Sequence, residues 1–229
     1  RLENSLAIFD YSLRNIAFLQ EKGLSYRQIY HLPVGLLQRN NPVQTAEEVD
    51  VLFYGDINND RRKAYITELR KHFSVKIINN LFGEALYTEM AKAKVVVNIH
   101  YYEGALLETT RLYECLSQNK IIVSEKSVDI DEHQELLPLV DFVPVNDIQA
   151  MLNKVEFWVK NDAARMTRYV ELKTACSEIP DMFSYYFLRL FLAHDLINYD
   201  TFYQAIGHVI QFNTDMICLG LPETVSRRA

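Results

Sequence analysis

The chain has 229 residues, 49% of them hydrophobic, enough to bury a full core and to build one or two domains. Its formal net charge of -6, with both signs interspersed, offers no basic field for a phosphate backbone and argues against nucleic acid as the main partner. Cys115, Cys176 and Cys218 lie far apart without a CxxC pair, and no apolar run nears the ~20 residues that span a bilayer, so a disulfide framework, a transmembrane segment and a signal peptide are all unsupported and a cytoplasmic setting is expected.

Leu6, Phe9, Leu13, Ile16 and Leu19 fall on one helical stripe, and Gly23 stands where a helix end wants a left-handed residue, which predicts a helix over Asn4–Lys22. Gln28–Val34, closed by LPVG, reads as a short strand. The polar stretch 38–48, which holds Pro42, reads as a linker. A regular alternation follows. Short β-branched runs at Val49–Tyr54, Val75–Ile78, Val95–Ile99, Ile121–Ser124 and Phe142–Val145 suit strands buried on both faces of a parallel sheet. Helical segments at Arg61–His72, Glu84–Ala93, Thr109–Gln118, Ile130–Leu136 and Ile148–Val159 separate and follow them. This βαβα pattern predicts an α/β, Rossmann-like parallel sheet with right-handed crossovers. Beyond Asn161 the pattern is helical only, with Phe183, Tyr186, Phe187, Leu190 and Phe191 at spacings of three and four. The expected organisation is therefore residues 1–48 as the remnant of a preceding half and linker, 49–160 as a nucleotide-binding domain, and 161–229 as C-terminal helices. The chain begins at Arg1 without a Met and stops after ICLGLPETVSRR, which reads like a strand entering a turn; a piece of a longer protein is expected.

In open α/β sheets ligands bind outside the carboxyl ends of the strands, so the loops after Tyr54, Ile78, Ile99, Val123 and Val145 carry the candidates. Gly55–Lys63, GDINNDRRK, joins a glycine that lets a ligand approach the backbone to Arg61 and Arg62 beside a helix start. Two interpretations stand: a pyrophosphate site, or a turn with Asp60 as helix cap and solvated arginines. Asn98–Glu125 is the richest segment. A helix starting near Thr109 puts Arg111 and Glu114 one turn apart on one face, where they either serve one ligand, as phosphate and ribose partners, or form a surface ion pair. His100 at a strand end is either a diphosphate ligand or base, or a satisfied loop histidine. The histidines show no HxxxH or HxH spacing, so no metal is expected. Asp129-Ile130-Asp131 reads as a helix-cap region.

Asn98, Ile99, His100, then Arg111, Glu114, Ser117, Lys120, Ile121, Ile122 and Ser124 resemble the donor-binding signature of GT-B glycosyltransferases, in the spore-maturation-like, group 1 branch. The resemblance takes in Gly55 and the DYSLRN and HLPVG pieces, from roughly Asn4 to Trp158. It departs from the pattern at Leu106, where many retaining relatives carry a second glutamate, and at Asn119, where a glycine is usual. It implies transfer of a hexosyl or deoxyhexosyl group from a nucleotide-sugar such as a UDP- or GDP-sugar to a glycan acceptor, with no cofactor or metal. It also implies neighbouring domains of a longer chain. The implied donor-binding residues are Gly55, Asp56, Asn58, Arg61, Asn80, Tyr101, Glu108, Thr109, Arg111 and Glu114, with His100 as the catalytic candidate. The rival expectation is a non-catalytic flavodoxin-like interaction module. A sugar-nucleotide epimerase is disfavoured by the lack of GxGxxG and Tyr-x-x-x-Lys.

Overall fold

Ahead of the alternating region the N-terminal stripe does not make one long helix. In the computed structural model, which describes residues 4–207 apart from 6, 25–27, 37–42 and 44, a strand β1 (Ile8–Asp10) precedes a short helix α1 (Leu13–Leu19). Two polar residues force the break. Asp10 Oδ1 accepts the Ser12 amide at 2.8 Å, and Ser12 Oγ caps the helix by accepting the Asn15 amide at 3.3 Å, so residues 10–12 are spent on a turn. Phe9, assigned to the helical stripe, is instead an exposed strand residue; Leu6 lies outside the described residues. The helix runs on through a wide turn, Gln20–Leu24, and Gly23 takes φ +88, the left-handed conformation anticipated for it. The predicted strand shrinks to β2 (Ile29–His31), which pairs parallel with β1. The linker region is described only at residues 43 and 45–48.

The β-branched runs form a five-stranded parallel sheet. Its strands are β3 (Val49–Tyr54), β4 (Val75–Ile78), β5 (Ala93–Asn98), β6 (Ile121–Glu125) and β7 (Asp141–Val143), in the order β4-β3-β5-β6-β7. Val51, Leu52 and Phe53 in β3, Val95–Val97 in β5 and Ile121–Val123 in β6 are buried, because helices flank the sheet and leave these strands no solvated face. α2 (Asp60–His72) packs on β4 and against α5 (Ile148–Lys160), which covers β5, β6 and β7. α3 (Gly83–Ala91) packs on β5, while α4 (Thr109–Ser117) and α6 (Asp162–Ser177) pack on β6 and on each other. The sheet and flanking helices are the α/β, Rossmann-like arrangement expected.

Two local expectations change and one is met. Asn59, not Asp60, caps α2: its Oδ1 accepts the Arg62 amide at 3.1 Å, leaving Asp60 in the first turn. Residues 130–136 form two 3-10 turns, Ile130–Glu132 and Gln134–Leu136, because His133 between them has φ -126 and ψ 46. Asn119 does replace a glycine with φ +54 in the tight turn from α4 to β6.

Two compact units emerge, Leu36–Glu178 with the five-stranded sheet, and Arg1–Gly35 with Ile179–Ala229. The first unit runs past residue 160, because α6 packs back on the sheet and Arg165 makes a buried pair with Glu47 at 2.8 Å. In the second, α7 (Met182–Ala193) and helical residues 199–207 share a small core of Phe202 and Ile206 with Tyr185, Leu188 and Leu192. Tyr30 in β2 reaches His194 Nε2 at 2.9 Å, and His31 packs edge-on against Tyr186. Among the described residues no helix is long and apolar enough to cross a membrane.

Candidate functional site

The strand order places β4 on one side of β3 and β5 on the other, so the chain reverses its direction of winding between β3 and β5. The carboxyl ends of these two strands form the crevice where open α/β sheets bind ligands. A cleft of about 230 Å³ opens there, walled by Tyr54 and Gly55 from β3, Asn79–Phe82 from the turn after β4, and Glu108, Thr110, Arg111 and Glu114 from the start of α4.

Gly55 has φ +136, a conformation that side-chain-bearing residues rarely adopt, and a Cβ there would stand 3.1 Å from Arg111 Nη2. The missing side chain leaves Arg111 facing the cleft. Arg111 Nη1 donates to Asn98 Oδ1 at 2.6 Å and pairs with the Glu108 carboxylate, while its guanidinium lies over the Tyr54 ring at 5.1 Å. Its Nε is buried with no hydrogen-bond partner among the described residues. A second guanidinium converges on the same carboxylate: Arg62 Nη2 lies 3.1 Å from Glu108 Oε1. Arg62 also donates to the Ile99 and Asp56 carbonyls at 2.9 Å each and sits between the Phe53 and Tyr101 rings. Burial pushes its pKa down, opposed by Glu108 and reinforced by Arg111.

Glu114 lies one turn along α4 from Arg111, and both line the cleft. They do not pair with each other; Glu114 Oε2 accepts the Tyr54 hydroxyl at 3.1 Å. Tyr54 also touches the Arg111 carbonyl and Cys115 Sγ, and burial raises its pKa, so it remains a hydrogen-bond donor.

Arg61 is used differently. Its guanidinium grips both oxygens of Glu125, a carboxylate with no exposure at the end of β6, and donates to the His100 carbonyl at 2.7 Å and Asn146 Oδ1 at 3.1 Å. Tyr65 Oη at 2.6 Å and the His100 and Asn146 amides at 2.9 and 3.1 Å complete the shell of Glu125. Burial alone would raise the Glu125 pKa; these donors outweigh it and lower it. This hub fastens α2, the ends of β5 and β6, and the turn into α5 to one another.

His100 contributes its backbone to that hub. Its ring is 1% exposed, is absent from the cleft walls, and has no hydrogen-bond partner on either nitrogen among the described residues; the Lys126 backbone stands near it outside bonding geometry. Burial lowers its pKa, so the imidazole is neutral near pH 7. The ring of His100, the expected catalytic group, is not among the side chains that line the cleft.

Of the remaining candidates, Gly55, Asn80, Glu108, Arg111 and Glu114 meet in the cleft. Thr109 is buried, its hydroxyl without a hydrogen-bond partner among the described residues. Asp56 and Asn58 are exposed and bond to one another, Asp56 Oδ1 accepting the Asn58 amide at 2.8 Å; Tyr101 lies on Arg62 outside the walls. Arg62 is absent from the expected donor-binding residues, yet it carries a sequence signal: Arg62, Tyr65, Ile66 and Leu69 form the buried stripe of α2 at helical spacing, which turns Arg62 inward. Tyr54, Asn79, Phe82 and Thr110 were also missed, and they carry no motif.

No protein family and no curated protein matches the sequence. Solved structures do. The chain superposes on TarM with a TM-score of 0.55 at 11% identity, over 80% of this chain and 42% of TarM. It superposes on sucrose-phosphate synthase from Thermosynechococcus elongatus with a TM-score of 0.51 at 14% identity, over 96% of this chain and 60% of that enzyme. Both are GT-B glycosyltransferases. The α/β, Rossmann-like sheet of this chain is consistent with one half of that fold. The present chain spans less than two thirds of either neighbour's length.

Proposed function

We propose that this chain is the nucleotide-sugar-binding part of a glycosyltransferase that moves a hexosyl or deoxyhexosyl group from a UDP- or GDP-sugar to a hydroxyl of a glycan acceptor. The observation that supports it most is Arg111 in the wall of a cleft at the sheet's switch point, with Glu114 one helical turn beyond and the buried Arg62 guanidinium held on the same Glu108 carboxylate. Two guanidiniums suit a diphosphate, whose charge grows as it leaves the sugar. A carboxylate one turn away suits the vicinal hydroxyls of a ribose. Gly55 lets the phosphates approach the backbone. Catalysis rests on holding the leaving diphosphate and orienting the sugar. The acceptor and any general base are assigned to other parts of a longer protein, as the partial coverage of both neighbours suggests.

Calorimetric titration with UDP and GDP tests this. One of them should bind the wild-type chain at micromolar to millimolar concentration, and Arg111→Ala or Glu114→Ala should weaken it at least about ten-fold, a loss of roughly 1.4 kcal/mol, with unchanged circular dichroism. Absence of binding by either nucleotide at millimolar concentration overturns the proposal.

One observation favours the interaction-module alternative: counted within the sheet, the strand order is 2-1-3-4-5, the flavodoxin-like one. That alternative predicts a partner complex or oligomer that Arg111→Ala and Glu114→Ala leave intact, and no ligand-induced rise in melting temperature.

A further inference from the structure

Glu108 holds the two arginines to which the proposed function assigns the diphosphate. Its carboxylate bridges Arg62 Nη2, at 3.1 Å, and Arg111 Nη1, and its side chain, 28% exposed, lines the cleft mouth beside Gly55 and Thr110. The two guanidiniums share a single directly bonded carboxylate: the other groups bonded to them are the neutral Asn98 amide and two backbone carbonyls, while the Glu114 carboxylate takes the Tyr54 hydroxyl and the Asp56 carboxylate takes the Asn58 amide. Arg111 Nε, buried and without a partner among the described residues, shows the same shortfall of acceptors.

The backbone at Glu108 is fixed while the side chain is not needed to fix it. The Glu108 carbonyl accepts the Arg111 and Leu112 amides at 3.0 and 3.2 Å, starting α4, yet its side chain makes no capping hydrogen bond. The carboxylate can therefore rotate away at the cost of its arginine contacts alone, leaving the helix start unchanged.

We propose that the Glu108 carboxylate is a resident counter-anion in a two-arginine phosphate seat, displaced by the diphosphate of an incoming ligand, and that it thereby sets the ligand affinity of the cleft. The inference rests on the function proposed above for its nucleotide, but the anion seat itself is testable with inorganic pyrophosphate. A ligand bearing two or more negative charges neutralises both arginines and the unpartnered Nε better than one carboxylate does. An uncharged nucleoside gains nothing from the exchange.

Pyrophosphate, UDP, GDP and the corresponding nucleosides are titrated calorimetrically into the wild-type chain and Glu108→Gln. The variant should bind pyrophosphate and the nucleoside diphosphate about ten-fold more tightly, equivalent to roughly 1.4 kcal/mol of relieved competition, with nucleoside affinity unchanged. Without ligand it should melt lower than wild type, since two like charges lose their shared partner, and pyrophosphate should raise its melting temperature more than that of wild type. Glu108→Asp keeps the charge but shortens the reach, and should tighten pyrophosphate binding by a smaller factor; it serves where Glu108→Gln fails to fold. Equal or weaker pyrophosphate binding by both variants, or no pyrophosphate binding by any form, overturns the inference. If the variants gain for pyrophosphate but no form binds a nucleotide, the seat stands and the nucleotide function falls. If nucleotides bind wild type well and the variants show no gain, the function stands and the seat falls.

Discussion

Two residues shape the carboxyl end of the sheet, Gly55 in the cleft wall and Glu125 at the end of β6. Gly55 works by what it lacks: at φ +136 an alanine is strained, and its methyl would press on Arg111 Nη2. Gly55→Ala should destabilise the chain by about 1–2 kcal/mol in urea unfolding and displace Arg111, weakening nucleoside diphosphate binding with it. Unaltered binding at reduced stability would dissociate the backbone geometry from the site. Glu125 works by what it gathers. A fully buried carboxylate whose bond partners come from a helix, the end of the neighbouring strand and a turn leaves an uncompensated charge when one partner goes. Arg61→Met should therefore cost about 3–5 kcal/mol, whereas Arg61→Met combined with Glu125→Leu should recover part of the loss. Additive losses in the double variant would show that the pair does not act as a unit.

The 3-10 segment after β6 shows how an element of poor intrinsic stability is fastened. Asp129 Oδ1 accepts the Leu107 amide at 2.9 Å, and His133 lies 3.4 Å from the other Asp129 oxygen and 3.7 Å from Glu135, which takes the Tyr113 hydroxyl. Burial alone would lower the His133 pKa, but its bonds to Asp129 and Glu135 raise it to about 9; burial would raise Asp129, but His133 and the Leu107 amide bring it down to about 2. His133, raised in the folded state, contributes stability that is full below its unfolded value near 6.5 and is lost as pH climbs to about 9. Asp129, lowered, contributes stability that is full above its unfolded value near 3.8 and is lost as pH falls to about 2. Both describe the same contact, worth about 2–3 kcal/mol, so the two are not added. His133→Asn should flatten the decline in melting temperature between pH 6.5 and 9 relative to wild type; parallel profiles would remove the contact from the account. This element also shows where sequence patterns stop. The strands were legible because β-branched runs buried on both faces carry their own signal, and Val49–Tyr54 and Val75–Ile78 were read to the residue. Residues 130–136 and the N-terminal stripe were misread because side-chain hydrogen bonds from Asp129, Asp10 and Ser12, not apolar periodicity, decide those backbones. In the site, the Arg111 and Glu114 spacing was legible from the helix period. The Glu125 hub and the Arg62–Glu108 contact join residues distant in sequence and carry no local pattern.

At the scale of the molecule, a net charge of -6 surrounds a cleft whose wall carries Arg111, with the buried Arg62 on the same Glu108 carboxylate, so affinity for an anion depends on contact and not on a long-range field. Such binding stabilises the folded chain through mass action. At a nucleoside diphosphate concentration one hundred times the dissociation constant the gain is about 2.7 kcal/mol, which for a protein of this size corresponds to a rise of about 5–10 °C in melting temperature. The rise should vanish in Arg111→Ala, which removes one arm of the seat. It should survive in Lys63→Ala, an exposed residue one turn along α2 whose partner is Asp60 at the surface. Hydrogen exchange should localise the protection to the carboxyl end of β3, the turn after β4 and the first turn of α4, all within Leu36–Glu178, and leave α7 unchanged. Protection concentrated in α7 instead would move the ligand to the aromatic unit and contradict the site at the sheet's switch point.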